Sequence, residues 1–178
     1  MRPTSIVVAG GGTETASIRA AGGVEFANAT SLSLNGVFTS DYDDYMISVR
    51  SIRDASGNIN FELRLRASGS DASGANYTHQ VIVAEGGSVI AARATSQTKG
   101  RFGDLTSSTL FHGHQIFFYG PALAQPTAFR GVSAGTNSSA SIYEGAVTHS
   151  LTTAYDGFTL LPGSGNITGL VTVYGLAQ

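Results

Sequence analysis

The sequence predicts an all-β chain, an antiparallel β-sandwich of jelly-roll type, and three observations carry that prediction. Apolar and polar residues alternate with a period of two in stretch after stretch. Bends rich in Gly, Asn, Asp, Ser and Pro separate those stretches. No stretch keeps helical spacing for more than about one turn, so nothing calls for helices between the strands.

Taken in order, residues 1–30 are small, Gly-rich and weakly alternating, with short strands at Ser5–Ala9, Thr13–Arg19 and Val24–Phe26. This part is expected as an N-terminal arm or a set of edge strands, ahead of a sandwich domain over 31–178. The stronger pattern begins with Ser31–Leu34, closed by Asn35-Gly36. Tyr45–Arg53 then places Tyr45, Ile47 and Val49 on one face. In Asn58–Arg66, Ile59, Phe61, Leu63 and Leu65 point one way, while Asn60, Glu62, Arg64 and Arg66 form a wet face. Asp54–Asn58 supplies turn chemistry, which predicts that these two strands pair as a hairpin.

Tyr77–Ala84 and Ser88–Ala94 follow, joined by Glu85-Gly86-Gly87. The remaining strands are expected at Ser108–Tyr119, Thr127–Gly135, Ser141–Ser150, Gly157–Leu161 and Ile167–Leu176. Pro121–Gln125 offers a single helical turn. Ser68–Asn76 and Thr95–Asp104 are polar and read as exposed loops.

Composition narrows the function classes. With 178 residues, the chain fits one domain or one domain plus an arm. Hydrophobic residues reach 42% while charged ones stop at 12%, which argues for a packed core and against disorder. So few charges also suit a subunit partly buried against its neighbours. Lys and Arg number 10 against 12 Asp and Glu. Arg50, Arg53, Arg64 and Arg66 are interrupted by Asp54 and Glu62, so no clustered basic face points to nucleic acid. There is no cysteine, hence no disulfide framework and no thiolate chemistry. No apolar run has the ~20 residues needed to cross a bilayer as a helix. The first residues carry one positive charge and an apolar run too short for a signal peptide, so synthesis in a bacterial cytoplasm without export is expected. Stability must then come from core packing or oligomerisation.

Four motifs bear on chemistry. Gly131-Val-Ser133-Ala-Gly135 matches the nucleophile-elbow spacing, but turn residues follow it where the elbow needs a helix. Val7–Gly12 is a strand running into glycines, as in a dinucleotide-binding turn; the alternation of Thr13–Arg19 after it predicts a hairpin instead. His112 and His114 share one face of a strand at a spacing that suits one metal ion. His79 and His149 could complete such a set only if the fold brings them together, or a symmetry axis could repeat the pair; ordinary surface or interface histidines are the expectation. Asp41, Asp43 and Asp44 lack the glycine-bearing loop of a calcium site. The sequons at Asn28, Asn76, Asn137 and Asn166 follow from hydroxyl-rich composition. No catalytic, cofactor or metal site is expected.

Several phrases resemble a group of short tailed-bacteriophage virion surface proteins of the minor tail, tail-fibre or head-decoration type. They are Ser31–Ser40 leading into Tyr42–Ile47, then Leu63–Gly69, Asp71–Tyr77, Phe118–Thr127 and Gly169–Gly175. The resemblance covers most of the chain from Ser31 onward and marks a scaffold rather than a chemistry. It implies a β-sandwich that assembles as a homotrimer on the outside of a virion, beside other virion proteins, with no catalytic residues. A minor tail or tail-fibre role with contact to host cell-surface polysaccharide is the first expectation. A capsid decoration or cement role, anchored by residues 1–30, is the alternative. Receptor contact would fall to the two polar loops, through Asp71, Asn76, Tyr77, Lys99 and Arg101.

Overall fold

A computed structural model describes residues 1–54, 57–105, 110–135 and 141–177. The expected turn at Asn137–Ser139, its sequon and the Ser108 start of a strand lie outside the described residues. Thirteen strands and no helix occur among those described. Every pairing is antiparallel, and the strands join into one curled sheet, a half-barrel with the core inside the curl.

β1 (Ser5–Ile18) and β2 (Val24–Asn35) form a long hairpin, turned where the Arg19 and Gly23 backbones bond at 2.8 Å. The glycines of Gly10–Gly12 sit at an irregularity in this pairing, a bulge within a strand rather than a phosphate-binding turn. The break expected between residues 30 and 31 falls inside β2. Val24, Phe26 and Ala29 are core residues, so this strand belongs to the main fold. β2 also changes partner along its length. Val24–Ala29 pairs with β13 (Ile167–Leu176), whereas Leu32–Leu34 pairs with β12 (Gly157–Pro162).

From that fork, one limb runs through β12 to β4 (Ile59–Ala67), which carries the short β5 (Ser70–Asp71) and β8 (Gly100–Leu105) on its other edge. The second limb runs β13, β3 (Asp44–Arg53), β9 (His112–Tyr119), β10 (Thr127–Ala134), β11 (Ile142–His149), β6 (Tyr77–Glu85), β7 (Ser88–Gln97). Gly86 (φ +56°) and Gly87 (φ +82°) give the β6–β7 hairpin its tight turn, a backbone shape that side chains with a Cβ resist.

Two expectations about β3 and β4 are corrected. They do not pair: β3 lies between β13 and β9, and β4 lies in the other limb. The residue that looked like hairpin chemistry, Asp54, instead accepts from the Asn166 N–H at 3.0 Å and donates its own N–H to Asn166 O at 3.1 Å, closing the β12–β13 turn. Nor is the polar face of β4 wet throughout: Asn60 is exposed, but Glu62 and Arg66 are both only 7% exposed. The region Thr95–Asp104, expected as a loop, contains the end of β7 and all of β8 but its last residue, Leu105. Pro121–Gln125 forms turns only.

The limbs meet through aromatic residues. Phe38 stands 4.9 Å from Tyr45, 5.2 Å from Phe118 and 5.8 Å from Phe158 between ring centroids, and Phe118 stacks on Phe129 at 4.9 Å. Tyr45 keeps its hydroxyl satisfied inside by accepting from Thr39 N–H and donating to Thr39 O, each at 2.7 Å. β8 lies flat across the inner face of β10 and β11, against the cross-strand pair Gly131 and Gly145. A Cβ on Gly131 would sit 2.6 Å from the Phe102 carbonyl oxygen, so no larger residue lets β8 come this close.

Candidate functional site

The chemistry-bearing residues settle into three places. The first is a polar ribbon along β4. Arg66 donates to Asn35 Oδ1 (2.9 Å), Thr159 Oγ1 (3.0 Å), Ser33 Oγ (3.2 Å), Asp71 Oδ1 and the Gly69 carbonyl. Arg64 reaches Asp71 at 3.6 Å and donates to the Thr98 carbonyl at 3.1 Å. Lys99 pairs with Glu62, and Arg101 holds both oxygens of Asp104 at 2.8 and 2.9 Å. Burial raises the Asp104 pKa, while Arg101 pulls the other way. The same guanidinium, behind desolvation, helps to lower His79. Each carboxylate of the ribbon faces a cation, so its charges are spent on one another.

Three of the five residues expected at a receptor surface, Asp71, Lys99 and Arg101, lie on this ribbon. Asn76 is half-buried near its end, with its carbonyl taking the Ser150 N–H. Tyr77 is different: it is fully buried, its hydroxyl donating to Ala72 O and accepting from Leu65 N–H, each at 2.9 Å. An aromatic at the start of a strand looked like a surface residue, but its ring fills the core against His149.

The second place is a histidine-bearing part of the core. His112 and His114 point inward, 1% and 2% exposed, with ring centroids 6.4 Å apart; they are not the surface pair that was expected. His114 packs edge-on against Phe61 and Phe102 at 4.9 and 5.9 Å, and neither of its nitrogens finds a hydrogen-bond partner. Burial, with His112 nearby, drops its pKa to about 3, so it is neutral. His149 lies elsewhere, its Nδ1 3.1 Å from the Tyr155 hydroxyl. His79 is on β6 near Arg101, so the four imidazoles do not converge. Among the described residues no three His, Cys, Asp or Glu side chains form a metal-holding group. Ser133 of the Gly131–Gly135 motif is a buried, inward-facing residue within strand β10, paired in register with His114. Asp41 serves the Thr39 hydroxyl two residues away and Asp44 the distant Gly120 N–H, separate bonds at 3.1 Å each.

The third place is a groove on the outer face of β3, β9 and β10, which sequence reasoning missed. Two registered rows cross it: Arg50, Gly113 and Ala134, then Ser48, Gln115 and Val132. The hollow measures about 480 Å³ and has no carboxylate in its lining. Arg50 lies over the Phe111 ring, 4.0 Å from its centroid. Beyond this pair a second hollow of about 360 Å³ continues over Thr15, Ser17 and Thr168, and there Glu25 is held by Arg19 at 3.0 Å. Among the described residues Arg50 makes no ion pair.

A further surface feature is β7, which among the described residues pairs with β6 alone. Val89 is 72% and Ile90 63% exposed, and Ile82 and Ile142 lie exposed on the adjoining strands.

No protein-family model matches the chain, and no curated protein does. Among solved structures the chain is similar to the catalytic domain of PdAgaC, with a TM-score of 0.19 and 9% identity over 97% of this chain and 76% of that one. A likeness that slight carries no argument about fold or chemistry.

Proposed function

We propose that this chain is a structural, self-associating subunit of a particle surface, of the tailed-phage tail type, with no catalytic role. The observation that carries the reading is the open edge of β7. A ten-residue strand without proline, apolar on both faces at Val89 and Ile90, is a template for adding a strand from another chain. Covering that edge in a closed symmetric ring, a trimer in keeping with the resemblance, would bury it along with Ile82 and Ile142. The curl also supports a sandwich of jelly-roll type, in which β4 and β12 lie over β9 through Phe61 on His114 and Phe158 on Phe118. The mutual pairing of the ribbon charges supports a scaffold rather than a hydrolase, because no carboxylate there is left unopposed.

Sedimentation velocity at micromolar concentration tests the association. The expected species is an oligomer, converted to a folded monomer by Ile90→Lys with far-UV circular dichroism unchanged. A wild-type monomer at all concentrations overturns the reading.

Head decoration is the second reading, favoured by β1, an edge strand that exposes Val7 (54%) and Ile18 (43%). Antibody labelling of intact particles separates the two by position. Removing residues 1–30 would not, because it takes Val24 and Phe26 out of the core.

A further inference from the structure

We infer that the groove over Gly113 is a binding site for a carboxylate-bearing saccharide, with Arg50 as the residue that takes the carboxylate. This deepens the particle-surface reading by naming a ligand class and placing it away from the expected loops.

Charge is the first argument. Arg50 has no carboxylate partner among the described residues, and the lining of the larger hollow adds no acidic side chain. An anion entering it meets a single cation with nothing to displace. Geometry is the second. A guanidinium laid over the Phe111 ring has one face occupied and its N–H edges directed sideways, held ready for a two-pronged bond to a carboxylate. Such stacking removes much of the rotamer freedom that a solvent-borne arginine would lose on binding.

Shape is the third argument. Gly113 lies between Arg50 and Ala134 in register and leaves the floor bare. A Cβ built on it would meet nothing within 4 Å. Next to that floor, Ser48 and Gln115 face each other across β3 and β9 and offer a hydroxyl and an amide to sugar hydroxyls. Phe111 and Ile142 supply the apolar rim that sugar C–H faces favour. The volume, about 480 Å³, lies inside the ~300–1,000 Å³ range of small-molecule sites and suits a short saccharide.

Titration of the isotope-labelled full chain with digalacturonate, and separately with neutral digalactose, tests this. Expected are saturable shifts of the Gly113 amide and Gln115 side-chain amide with digalacturonate, and at least tenfold weaker binding of digalactose. Arg50→Gln should weaken the acidic sugar at least tenfold, and Arg50→Lys should recover part of that loss. Gly113→Val should fill the floor and abolish binding while the thermal midpoint stays put. Glutarate serves as the control for a bare carboxylate; binding as tight as digalacturonate would overturn the saccharide assignment. No shifts with either sugar, or equal binding by the Arg50 and Gly113 variants, would also overturn the inference. Sedimentation of the same wild-type sample keeps the two readings apart: an oligomer that ignores saccharide removes the groove assignment alone, whereas a saccharide-binding monomer removes the structural-subunit reading.

Discussion

Gly131 is where one atom decides how an inner strand packs. Its missing Cβ gives room to the Phe102 carbonyl, and the opposing atom is backbone, which cannot swing away. Gly131→Ala is therefore expected to destabilise the fold by ~2 kcal/mol in urea unfolding, as overpacked cores do. Gly113→Ala, with open space at the same atom, should change it by less than ~0.5 kcal/mol. His114 is the other residue whose surroundings set a measurable outcome. Its folded pKa, about 3, lies below the ordinary imidazole value of 6.5, so below pH 6.5 the unfolded chain binds a proton that the folded chain refuses. Stability should thus fall as pH drops from 6.5 toward 3, by about 3 kcal/mol at pH 4 from this residue. His79, His112 and His149, also lowered by burial, add in the same direction. Urea midpoints measured from pH 7 to pH 4 should show that slope, and His114→Leu should flatten it. An unchanged slope in the variant would remove His114 as its source.

Strands differ in how much of them the sequence discloses. β9, β10, β11 and β13 alternate cleanly, and their expected spans match to within a few residues, because each pairs on both sides and turns one face to the core. β8 was hidden. Its Gly100 and Gly103 look like loop residues, yet a Cβ on either would strike Phe129 and Val147, or His114 and Ser133. Only the glycines of β10 and β11 that it meets could have signalled it, and they lie far along the chain. The pairing of β3 with β4 failed for a related reason. Turn chemistry at Asp54 is local, but the bond it makes is to Asn166. For the site, Asp71, Lys99 and Arg101 stood out in the sequence as loop residues, but nothing local showed that they pair with neighbours along β4, and nothing pointed to the groove, whose Arg50 and Phe111 meet only once β3 and β9 are neighbours. β7 carries an expectation at this scale. In the Ile90→Lys monomer its amides should exchange with solvent faster than those of β9 and β10, and in the wild-type oligomer they should be protected. Equal exchange in both would argue against β7 as the joining edge.

At the scale of the whole molecule, hairpins such as β1–β2 and β6–β7 are joined by pairings between strands distant in sequence, β12 with β4, β13 with β2 and β3 with β9 among them. Folding should accordingly be slow, in the millisecond-to-second range typical of such topologies. One core spans both limbs, so unfolding should be a single step. Tyrosine fluorescence and far-UV circular dichroism ought to give coincident transitions, with no helical minima in the spectrum. Separate transitions would mean that the limbs melt independently.

The fork in β2 makes that unlooked-for independence hard to achieve. Val24–Ala29 is stitched to β13 and Leu32–Leu34 to β12, so one unbroken peptide backbone ties the halves together. A tug arriving at one half passes to the other along covalent bonds, not across a seam that could slip. If the chain sits on a particle surface as proposed, such a strand would serve as a tendon under load.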